Sequence, residues 1–190
     1  MSNGLVLLIV GSAITYYLVP EFQNRYEKRQ QQLAAMQDCF AQFLIYSNSI
    51  WQEYYAILPL TQRVEIDQDI YLQYVDKISN IKLKRYDAYA KVQALSVAFL
   101  DKTESTPEFS IIDGLTGYAR TLNFVSESID KWLTGLYCTP TKRERSPCAQ
   151  FDLNFDAFGE YTTIKNQVLS VGNEKANTVA GLMMKKINQQ

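Results

Sequence analysis

The chain has 190 residues and is close to electroneutral, with 19 Lys and Arg against 20 Asp and Glu. That balance offers no basic surplus for nucleic acid and no acidic tail. Histidine is absent altogether, which removes Ser-His-Asp and Cys-His nucleophile systems, histidine-containing zinc sites, facial-triad iron and the Glu-x-x-His di-iron bundle site together.

The first element is an apolar run over 4–19, closed by Pro20, with no charged side chain before Glu21. At about 1.5 Å per residue, 5–19 reaches roughly 22 Å and 1–20 roughly 30 Å, the short end for a membrane span. Leu5, Leu8, Ile9 and Ile14 supply the apolar surface, Gly11, Ser12 and Ala13 would allow close helix approach, and Tyr16 and Tyr17 fall near an interface. A secretory signal would need a basic start and a small-x-small cleavage site. Neither is present. A buried core helix is the bland alternative. The reading is a transmembrane anchor over 1–20 followed by a domain over 21–190. Arg25, Lys28 and Arg29 flank the span on its C-terminal side only. The positive-inside rule then predicts a single-pass inner-membrane protein, N-terminus out, with the C-terminal domain in the cytoplasm.

The next stretch keeps a heptad. Leu33, Phe40 and Tyr54 form one row, and Met36, Phe43, Ile50 and Ile57 a second row three residues on. This predicts a helix over about 22–58, ended by Pro59. A second helix, about 63–101, carries Val64, Tyr71, Ile78, Val92 and Phe99 in one row and Tyr74, Ile81, Ala88 and Leu95 in the other. A polar connector with Pro107 leads to the cleanest pattern, about 109–138, with Leu115, Leu122, Ile129 and Leu136 beside Tyr118, Val125 and Trp132. After a loop over 139–150, Phe151, Phe155 and Phe158 open a last helix, about 152–186, in which Gly172 and Gly181 each cost about 1 kcal/mol relative to alanine. Four such helices joined by short loops predict an all-α fold: a single N-terminal transmembrane helix followed by an up-down antiparallel four-helix bundle.

Cys39, Cys138 and Cys148 are the cysteines. The last two bracket a nine-residue segment and would suit a bridge in an oxidising compartment, whereas a cytoplasmic domain implies thiols. Their spacing matches no zinc pattern, and no Gly-rich phosphate loop or dinucleotide fingerprint occurs. The expectation is no metal, no cofactor and no catalytic residue.

Three features invite a functional reading. Arg85 takes an inward heptad position, where a guanidinium needs a partner. Asp87 or Glu127 could supply it, and Asp76 and Glu53 could flank the same core. Arg85 is thus a candidate anion-binding or gating residue, against the bland reading of a packed stem with its head in water. Trp51, Tyr54 and Tyr55 belong to an aromatic run richer than a bundle core requires, and Lys142, Arg143 and Arg145 sit in the long loop. Both groups are candidate partner-binding residues. The functional expectation is a non-enzymatic, membrane-anchored bundle that scaffolds or assembles a protein complex, with the membrane and a protein partner or second copy as its contacts. An oligomerising toxin-like effector that perturbs the bilayer and a ligand-sensing bundle are the alternatives.

Overall fold

Helix α1 (Val19–Ile57) opens with Pro20 in its first turn, where a missing N–H leaves no carbonyl unpaired. It then runs 39 residues. The structure, a computed structural model, describes residues 19–99, 111–138, 148 and 155–189. A 3₁₀ turn, Leu58–Leu60, containing Pro59, follows α1. Helix α2 spans Gln68–Ser96 and tightens into a second 3₁₀ turn, Val97–Phe99. Helix α3 is Ile111–Tyr137. The fourth helical limb is α4 (Ala157–Leu169), a π-helical turn (Ser170–Lys175) and α5 (Ala176–Asn188). The fold is all-α with four helical limbs and, among the described residues, no strand.

The cross-contacts give the topology. Gln32 of α1 donates to the Ala98 carbonyl (2.9 Å), Cys39 to that of Val92 (3.5 Å), and Tyr46 stacks on Tyr89 (5.0 Å), so α1 and α2 run antiparallel. Lys82 pairs with Asp130 and Tyr71 stacks on Tyr137 (4.5 Å), which makes α2 and α3 antiparallel as well. Trp132 bonds the Ala157 carbonyl (2.8 Å) while Lys175 reaches Thr121 (3.2 Å), which reverses the fourth limb against α3. The arrangement is a four-helix bundle.

Helix α2 starts later than the heptad implied, for two local reasons. The Asp67 carboxylate caps it by accepting from the Ile70 N–H (2.8 Å). The Ile66 N–H goes to the Leu136 carbonyl (3.1 Å) and so leaves any helical ladder. Val64, expected in the core, is 89 % exposed on that loop. The fourth limb likewise starts after Asp156, whose carboxylate accepts from the Phe158 N–H (3.2 Å). In α3 every residue of both expected rows is buried.

The core seam of α1 is wider than its two rows. Cys39, Tyr46 and Glu53 of α1, and Leu60 of the 3₁₀ turn after it, follow one another at steps of seven and are all buried. They form a third stripe, the broadened face of a helix that packs on several neighbours at once. By contrast, residues 19–31 of α1 are exposed on every side.

Two expectations are corrected here. Among the described residues no helix is long and apolar enough to cross a membrane. Helix α1 carries Glu21, Arg25, Glu27, Lys28 and Arg29 within its first three turns, and its apolar residues further on go into the bundle seam. The single-pass inner-membrane placement with a cytoplasmic domain is therefore set aside. Its anchor residues Leu5, Leu8, Ile9, Gly11, Ser12, Ala13, Ile14, Tyr16 and Tyr17 lie outside the described residues. Nor are the paired cysteines thiols. Cys138 at the end of α3 and buried Cys148 sit with Cα atoms 5.2 Å apart, within bridging reach, and are joined as a disulfide. Cys39 is free and buried.

Candidate functional site

Arg85 sits in the middle of α2 on its inward face and is 1 % exposed. A guanidinium there forfeits its hydration and must be compensated by a partner of opposite charge. Glu53, from the third stripe of α1 and fully buried, is that partner: Nη1 of Arg85 donates to Oε1 of Glu53. Ser126 of α3 closes the triangle. Its hydroxyl accepts from Nη2 of Arg85 (3.1 Å) and donates to Oε2 of Glu53 (2.6 Å). One polar group from each of three helices thus meets at a single point of the core. Arg85 also lies over the Tyr86 ring (5.5 Å).

The electrostatics are a contest that burial wins. Desolvation raises the Glu53 carboxyl above its ordinary value, while the Arg85 charge, the Ser126 hydroxyl and more distant Lys82 pull it down and Asp130 opposes them. Two buried phenols, Tyr46 and Tyr118, lie close enough to feel the Arg85 charge. Tyr46 stacks on Tyr89 and meets Tyr118 edge-on (5.8 Å), and Tyr118 meets Phe43 (5.4 Å). Burial pushes the hydroxyls of Tyr46 and Tyr118 well above the phenol range, so both stay protonated. Nε of Arg85 and the Tyr118 hydroxyl make no hydrogen bond among the described residues. Such buried donors are ordinarily met by an ordered water.

Neither Asp87 nor Glu127 holds Arg85. Asp87 lies on the solvent side and bonds Lys91 of its own helix (2.7 Å). Heptad reading tied Glu53 only loosely to the core, because position 53 falls beside the two rows. Ser126 gave no signal of its own. The sign that could have found both is the third stripe, which places residue 53 against α2, together with a small hydroxyl one step from the α3 seam.

The aromatic candidates part company. Tyr54 is buried, stacks on Tyr161 (5.9 Å) and shares a hydroxyl–hydroxyl bond with it (2.7 Å). Tyr55 is 58 % exposed and stacks on half-buried Trp51 (5.8 Å). Lys142, Arg143 and Arg145 lie outside the described residues.

Chemically, the triangle is closed. Ser126 and Glu53 resemble a nucleophile and its base, but both are buried and the carboxylate is held by a guanidinium. Among the described residues no three His, Cys, Asp or Glu gather where they could hold a metal ion. Set against known protein families, curated proteins and solved structures, the chain matches none.

Proposed function

We propose that the chain is a non-enzymatic helical bundle that assembles a protein complex, docking through the exposed first turns of α1. The observation that carries this reading is a core-type pattern with no core around it. Tyr26 stands seven residues before Leu33, and Phe22 lies fourteen before Met36, so both continue the two rows that pack inside the bundle. Yet Phe22 is 67 % exposed and Tyr26 is 65 % exposed. Apolar residues at heptad spacing on a solvated helix are the form in which one helix meets another, and an exposed aromatic stripe is the composition of an interface centre.

The test is size and partner capture by the whole chain. Cross-linking and light scattering should find an assembly larger than one chain, or a stoichiometric protein partner. The double variant Phe22→Glu/Tyr26→Glu should dissociate it while leaving the helical content and the melting midpoint unchanged. At about 2 kcal/mol per central aromatic, affinity should drop by roughly 10³. A chain that runs as a monomer and retains no partner would remove the basis of the proposal.

A further inference from the structure

One face of the bundle holds a preformed groove of about 520 Å³ between α1 and the π-turn–α5 limb, a volume within the range of small-ligand sites. The wall from the fourth limb is made chiefly of small residues, Gly172, Ala176 and Ala180, beside Asn177, and the wall from α1 carries Trp51 with the exposed aliphatics Leu44 and Ile45. A Cβ on Gly172 would overlap the Trp51 indole, so the glycine is what admits the ring. The groove lies beside Ser170–Lys175, the one stretch of the described residues wound as a π-helix, a distortion that recurs at functional sites.

The lining decides what could bind. Among the described residues none of its lining side chains is ionisable, so a charged ligand would give up hydration with no counter-charge there to meet it. An entirely apolar ligand would desolvate the exposed carboxamides of Asn48, Gln52 and Asn177 with no hydrogen bond in return. What fits is a neutral molecule with one C–H face for the indole and a rim of groups that both donate and accept. Carboxamides offer one donor and one acceptor side by side, and hydroxyls answer both. We propose that this groove binds a neutral saccharide of one or two rings, its ring face against Trp51 and its hydroxyls on Asn48, Gln52 and Asn177.

Trp51 also supplies the readout. The other tryptophan, Trp132, is 1 % exposed and bonded to the Ala157 carbonyl, so a ligand-dependent change in tryptophan emission reports the groove. The whole chain is titrated at millimolar concentrations with maltose, cellobiose and N,N′-diacetylchitobiose, with glucuronate and a capped neutral dipeptide as controls. At least one neutral disaccharide should give a saturable change. Gln52→Ala and Asn177→Ala are exposed positions that leave the fold intact, and each should weaken that response by about tenfold. The proposal is overturned by no saturable response to any of the three sugars. It is equally overturned by a response that both variants retain in full, or by saturation with glucuronate or the dipeptide alone. Because the groove and the α1 stripe are separate surfaces, either proposal can fail while the other stands.

Discussion

Removing one member of the Glu53–Arg85 pair should be far more damaging than removing both. Glu53→Gln leaves a guanidinium buried without a counter-charge, and such single losses cost about 3–5 kcal/mol. Replacing the pair together, as Glu53→Leu/Arg85→Met, should recover most of that in urea denaturation, because apolar groups of similar volume need no desolvation. The pH dependence carries its own signature. Burial raises the folded-state carboxyl pKa of Glu53 above its unfolded value near 4.5. Between that value and the raised one, the folded chain binds more proton than the unfolded chain does. Stability from this group is greatest below the unfolded value and declines as pH climbs through the raised one. Subtracting the pH profile of Glu53→Gln from that of the native chain should expose this slope; parallel profiles would show that Glu53 does not titrate as described. Arg85 was legible as an inward charge because its heptad position is unambiguous. Its partner was not, since two rows of a helix wheel omit the flanking stripe on which Glu53 lies, and a serine has no periodicity to betray it.

Among the elements, the fourth limb offers a paired test in its two glycines. Gly181→Ala meets open space and should stabilise by about 0.5–1 kcal/mol, the ordinary gain for a helix interior. Gly172→Ala drives a methyl into the Trp51 ring, and overpacking of that kind should destabilise by about 1–3 kcal/mol despite the better helix propensity. Thermal melts of the two variants should shift in opposite directions. In sequence the two glycines look identical, because the difference between them lies in a neighbour 121 positions away from Gly172 along the chain. Helix α3 was the most legible element, as its two rows are unbroken by any charged residue and every member of them is buried. The start of α2 was not, because Val64 and Tyr71 keep the spacing while Asp67 and the Ile66–Leu136 bond end the helix between them.

For the molecule as a whole, the cysteines give a chemical map of the fold. Burial raises the Cys39 thiol to about 11, and it lies within the bundle. A thiol reagent at pH 8 should thus label the folded chain negligibly. Denaturation without reductant should release one thiol, and with reductant three. Closing a loop of sequence separation 10 constrains the unfolded chain by about 2.5–3 kcal/mol, and reduction should lower the urea midpoint accordingly. Two rapidly labelled thiols in the folded, unreduced chain would contradict the bridge. The bundle itself was readable from four apolar periodicities and short connections. The compartment was not: the apolar run over 4–19 lies outside the described residues, and the bridge that bears on it depends on how the end of α3 meets Cys148.

The exposed start of α1 turns distance into angle. Residues 19–31 extend about 20 Å beyond the part of α1 that the bundle covers, with no break between them and the buried turns. Each residue advances a helix by about 100°, so Phe22 and Tyr26 hold a fixed azimuth with respect to the groove and the Glu53–Arg85 triangle. One alanine inserted between Gln30 and Gln31 would swing both rings by a quarter-turn or more without altering any contact inside the bundle. Seven inserted residues would return them almost to their starting bearing, roughly 10 Å further out. The helix is thus a compass needle as well as a stalk, and insertion length is the dial that separates its two roles.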